Sequence, residues 1–123
     1  MPAPRESAYE LFQRGTRMLA EEHFGAAAVL LERALVLEPG KASILEALGR
    51  AYFNQGAHSL AAERFGAIVE ADPLAHYAHF GLGLARARLG DDRSARRHLR
   101  LAVRMQPENE AYREALARVD AAA

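Results

Sequence analysis

The chain has 123 residues, 50% of them hydrophobic, a length that favours a single domain. Its 16 Lys and Arg balance 16 Asp and Glu, so no global charge marks a nucleic-acid or membrane-surface protein. Cysteine is absent, which removes disulfides, thiol catalysis and cysteine-based metal sites.

The first ten residues, MPAPRESAYE, lack the apolar stretch of a signal peptide, and Glu6 and Glu10 oppose one. No apolar run approaches the ~20 residues needed to cross a bilayer. Both features lead us to expect a soluble, cytoplasmic protein. Arg outnumbers Lys fifteen to one, a skew that GC-rich coding produces and that favours a bacterial source. Residues 1–7 read as a leader, frayed over Met1–Pro4, where two prolines flank a lone Ala.

Ser7 with Glu10 three residues on forms a capping box, so a first helix is predicted from Ala8 to about Ala20. Glu21-Glu22-His23 is its turn. A second helix spans about Phe24 to Leu37, with Ala27, Leu31 and Ala34 at the spacing of a buried stripe, and Pro39-Gly40 ends it. A third runs from about Lys41 to Asn54, turning at Gln55-Gly56, and a fourth from about Ala57 to Glu70, stopped by Asp72-Pro73. The fifth is expected over about Ala75 to Arg88 and the sixth over about Arg93 to Met105, ended before Pro107. Asn109 can cap a last helix over roughly Glu110 to Val119, whose Tyr112, Leu116 and Val119 form a narrow apolar edge.

A shift of 34 residues restores the pattern. Gly15, Gly49 and Gly83 align, as do Ala27, Ala61 and Ala95, Leu31, Phe65 and Leu99, and Pro39, Pro73 and Pro107. Each Gly costs its helix about 1 kcal/mol, so three in register imply a neighbouring helix too close for a side chain. The chain holds 27 Ala, which suits closely approaching helices rather than a thick core.

The period, with Leu48-Gly49, Tyr52, Gly56, Ala61, Phe65 and Pro73 in its clearest copy, resembles the tetratricopeptide repeat family. The resemblance covers 8–109 as three units, 8–41, 42–75 and 76–109, with 110–123 as a C-terminal capping helix. It implies an all-α, right-handed α-solenoid of helix-turn-helix units. This chain departs from the family where Leu11, Leu45 and His79 stand at a position that often holds Trp, and where Arg86 replaces Tyr52 and Met18. Ile68 likewise stands where Ala34 and Ala102 are small.

The resemblance also implies that the first helix of each unit lines a concave groove for a peptide or helix. The exposed inner positions are then Tyr9, Phe12, Gln13 and Thr16; Ser43, Glu46, Arg50, Phe53 and Asn54; and Tyr77, Phe80, Gly81, Leu84 and Arg88. Five of the nine aromatics fall here, the composition favoured at interface hot spots. Phe12, Phe53 and Phe80 could instead turn inward as core, or the patch could be covered by a second copy of the chain, by the leader or by the cap helix. Some grooves of the family grip a terminal carboxylate with Lys, Arg and Asn. The matching positions, Phe12, Thr16, Ala47, Tyr77 and Gly81, carry none of these, which argues against a receptor for Hsp70 or Hsp90 tails.

Arg93, Arg96, Arg97, Arg100 and Arg104 recur every three or four residues, giving Leu82–Pro107 a balance of +5. Such a stripe could hold an acidic protein or a nucleic acid, but without interleaved aromatics it argues against nucleic acid. A solvated face neutralised by Glu108, Glu110 and Glu114 is the simpler account. His76 and His79 lie one turn apart, yet His79 sits at a packing position and no acid but Asp72 is near. With no nucleophile elbow or phosphate-binding glycine loop, we expect neither an enzyme, a cofactor nor a metal. The expected function is a protein-interaction adaptor, with self-association or charge-driven binding through the Arg stripe as alternatives.

Overall fold

The computed structural model describes residues 5–122, so the expected fraying of Met1–Pro4 lies outside it. Among the described residues seven α-helices follow one another: α1 (Ala8–Ala20), α2 (Phe24–Leu37), α3 (Ala42–Gln55), α4 (His58–Ala71), α5 (His76–Arg88), α6 (Asp92–Met105) and α7 (Glu110–Ala122). No strand occurs among the described residues. Ends differ from expectation by a residue, except that α7 runs on past Val119. No Gly or Pro follows there, and Ala is the best helix former.

The caps are local chemistry. Glu10 N–H donates to Ser7 Oγ at 3.1 Å while Ser7 N–H donates to Glu10 Oε1 at 3.4 Å, closing the capping box of α1. Asn109 Oδ1 accepts from Tyr112 N at 3.1 Å and Asp91 Oδ1 from Ser94 N at the same distance. Ahead of α1, Glu6 pairs with Arg14 and lies 4.0 Å from Arg33 of α2, tying that residue to the first hairpin. Gly56 closes α3 at φ +88°, left-handed backbone that costs Gly little. Glu22 occupies the same place after α1 at φ 63°.

Each helix packs on its sequence neighbours, which makes a stack of hairpins. A Cβ on Gly15 would lie 2.7 Å from Leu31 Cγ, on Gly49 2.6 Å from Phe65 Cζ, and on Gly83 2.7 Å from Leu99 Cγ. The three glycines are thus the close approaches implied by their register, and the three large residues fill the space opposite. Ala27, Ala61 and Ala95 are fully buried where the partner helices meet. No single hairpin can bury both faces, so stacking supplies the core. At the C-terminal end, α7 lays Tyr112, Ala115 and Val119 onto α5 and α6 and leaves its other face to water.

Candidate peptide-binding groove

The first helices, α1, α3 and α5, adjoin in a row that α7 continues. This row carries the residues predicted to line a groove, and the fold divides them into separate clefts.

The central cleft, about 90 Å³, is walled by Arg50, Phe53, Asn54, Tyr77, Phe80 and Leu84, with Phe65 and Gly81 at its base. Phe53 is half-buried, edge-on to His58 at 5.0 Å, with the Arg88 guanidinium 5.4 Å above its ring. Tyr77 meets Phe65 at 6.2 Å and Phe80 at 6.1 Å, and Phe80 meets Tyr112 of α7 at 4.6 Å. These offset and tilted contacts hold the rings in fixed orientations while Phe53, Tyr77 and Phe80 each stay partly exposed. Asn54 donates to the Arg50 carbonyl at 2.8 Å, so part of its amide is spent on its own helix.

Beside this cleft a second hollow, about 230 Å³, opens between α3 and α5, with Glu46, Leu45, Ile68, His76 and Tyr77 in its walls. Burial raises the Tyr77 hydroxyl above its ordinary pKa, Arg50 pulls it down and Glu46 pushes it up. The Tyr112 hydroxyl is likewise raised, first by burial, then by Tyr77 and Glu46. Both phenols therefore stay neutral donors at any physiological pH.

Tyr9 and Phe12 line a third hollow with Lys41 and Ser43, apart from the central cleft. Tyr9 is 67% exposed and its hydroxyl accepts from Gln13 Nε2 at 2.8 Å. Phe12 is half-buried against the first core cluster. Thr16 lines none of these three hollows and donates to the Gln13 carbonyl at 3.1 Å. The three phenylalanines, Phe12, Phe53 and Phe80, are thus neither free nor core, each half-buried with one side on a packed cluster.

One expectation is corrected. Gly81 is not an exposed inner position but is buried, because the Phe65 ring lies where its Cβ would be, 2.6 Å from Cζ. Sequence reasoning also missed Tyr112, 3% exposed, whose hydroxyl meets His76 Nδ1 at 2.8 Å and whose ring backs Phe80. An aromatic on the buried edge of the cap helix was the only available signal.

His76 and His79 do not converge. His79, 3% exposed, donates from Nε2 to the Pro73 carbonyl at 2.7 Å and meets His98 Nδ1 at 3.0 Å, whereas His76 is held by Tyr112. Among the described residues no three His, Asp or Glu side chains are grouped to hold a metal. Arg93, Arg96, Arg97, Arg100 and Arg104 line one broad exposed face of α6 with Leu101. The acid that reaches them is Asp120, 2.9 Å from Arg96 Nε, rather than Glu108, Glu110 or Glu114. None of the described helices is long and apolar enough to cross a membrane.

Compared with known proteins, the chain matches tetratricopeptide repeat families over residues 18–80 and 58–110. A curated relative is the tetratricopeptide repeat and J domain-containing co-chaperone DNJ1 of Cryptococcus neoformans var. grubii, 30% identical over 105 residues. That match takes in 85% of this chain but 20% of the relative, so the chain spans about a fifth of its length. The Sgt2 tetratricopeptide domain from Aspergillus fumigatus superposes with a TM-score of 0.86 at 25% identity, over 97% of this chain and 80% of that one. The first such domain of Spaghetti (RPAP3), bound to the HSP90 peptide SRMEEVD, gives 0.89 at 17% identity over 94% and 92%, a likeness of fold alone. The 34-residue register, the stacked hairpins and these matches agree: the chain belongs to the tetratricopeptide repeat family.

Proposed function

We propose that the chain is a non-catalytic adaptor that grips a peptide or helix in the row of clefts along α1, α3 and α5. The observation that carries this is the central cleft, where Phe53, Tyr77 and Phe80 are held half-exposed by ring contacts, with Arg50 and Arg88 at its rim. A cleft of about 90 Å³ suits one apolar or aromatic anchor. The positions that would clamp a terminal carboxylate hold Phe12, Thr16, buried Ala47, Tyr77 and buried Gly81, so the anchor is an internal side chain rather than an acidic tail.

Selection of peptides from a random library, followed by affinity measurement, tests this. Selected sequences should share one large apolar residue and lose at least tenfold in affinity for Phe53→Ser, with weak dependence on salt. Selected peptides that bind Phe53→Ser unchanged would sink the assignment. Light scattering of wild type and Phe53→Ser across concentrations addresses self-association: a dimer broken by the substitution would make a second copy the occupant. The exposed Arg face of α6 supports a second reading, a partner held by charge, whose binding would be salt-sensitive and lost on Arg97→Glu.

A further inference from the structure

The two seams between consecutive repeats use the same positions with different chemistry. In the first seam Arg64 of α4 forks onto Glu32 of α2 at 2.8 to 3.1 Å, and the Tyr52 hydroxyl of α3 faces both groups. Thirty-four residues on, those positions hold His98 for Arg64, Gly66 for Glu32 and Arg86 for Tyr52. The second seam has therefore lost the carboxylate and gained a guanidinium in place of a phenol.

Three further observations bear on that exchange. Among the described residues, Nε of Arg86 is buried without a partner. Gly66 leaves room, since a Cβ there would meet nothing within 4 Å. His98 stacks on His79 at 5.2 Å, and because the Pro73 carbonyl fixes the proton of His79 on Nε2, His79 Nδ1 accepts and His98 Nδ1 donates. The other α6 charge that acts on His98, Arg97, is positive. On α4, Glu63 and Glu70 are exposed and form no ion pair among the described residues. A buried guanidinium N–H without an acceptor is costly, and the planar guanidinium fork matches a carboxylate.

We propose that the seam between the second and third repeats is a carboxylate-binding site, in which Arg86 receives the group above Gly66 that Glu32 supplies from within the chain one repeat earlier. The occupant is a carboxylate, either a free small acid or an acidic side chain of a peptide. The site uses none of the residues of the central cleft and stands or falls independently of it.

Isotope-labelled protein titrated with sodium succinate, and separately with acetyl-Glu-Glu-amide, tests this at ionic strength held constant with sodium chloride. The Arg86 Nε–H and the His98 and His79 ring resonances should shift saturably in wild type and in Gly66→Ala. Affinity should fall at least tenfold in Arg86→Met, and the shifts should vanish in Gly66→Glu, whose own carboxylate fills the site. Saturation by succinate alone makes the occupant a free acid, and saturation by the dipeptide makes it a side chain. Shifts that never saturate or spread over the whole α6 arginine face overturn the site, as does equal affinity in Gly66→Glu and Gly66→Ala. That last pair carries the test if Arg86→Met does not fold.

Discussion

Replacing Gly81 by Ala should destabilise this protein although Ala is the better helix former, because one ring fills the space of two missing side chains. A Cβ at Gly81 would lie 2.6 to 2.7 Å from Cζ, Cε1 and Cε2 of Phe65, where carbon atoms rest at about 3.5–4.0 Å. The ring must therefore retreat by nearly 1 Å. It has nowhere to go, since the same three atoms lie 2.6 to 2.8 Å from the Cβ position of Gly49 on α3. Overpacking of this kind costs about 1–3 kcal/mol, against a gain of about 1 kcal/mol in helix propensity. Gly66→Ala is the control: it lies inside α4 with nothing within 4 Å of its Cβ, so it should collect the propensity gain alone. The two variants should then differ by about 1–3 kcal/mol, or roughly 4–12 °C in Tm at about 4 °C per kcal/mol for a chain of this size. Urea and thermal unfolding followed by circular dichroism measures both. Equal stability of Gly81→Ala and Gly66→Ala would refute the reasoning. In a Phe65→Leu background, which shortens the ring side chain, the penalty at Gly81 should shrink.

Two further outcomes are expected. Burial first, then the neighbouring His79, Arg97 and Arg86, lowers the His98 pKa from 6.5 to about 4. Above pH 6.5 both states are neutral there and this source of instability is absent; between 6.5 and about 4 the unfolded chain takes up a proton that the folded chain refuses, so stability falls with pH and levels off below about 4. An NMR titration of the His98 ring should give the low pKa, and His98→Gln should flatten that part of the stability profile; a His98 titrating near 6.5 would contradict the packing. Glu22 holds left-handed backbone at φ 63° where Gly56 and Gly90 stand in the next two repeats, so Glu22→Gly should stabilise by up to about 1 kcal/mol. A loss of stability in urea unfolding would show that the Glu22 side chain makes a contact worth more than the strain.

The local grammar of the chain is legible in its residues alone. Ser7 with Glu10 and Asn109 announce their helix starts because a cap is a bond between residues three apart. Gly15, Gly49 and Gly83, opposite Leu31, Phe65 and Leu99, can be matched because each pair lies within one hairpin and returns every 34 residues. Contacts between repeats obey no such spacing. They depend on how far the hairpins rotate on stacking and on which side chain is long enough to cross. That is why Gly81 backs Phe65 and why Tyr112 closes the aromatic row over Phe80. The same rotation parts Tyr9 and Phe12 from the cleft of Phe53, Tyr77 and Phe80, though all five share one inner face in sequence. Periodicity in the sequence determined which faces of the helices are buried, and only the stacking of one hairpin on the next decided which side chains share a cleft.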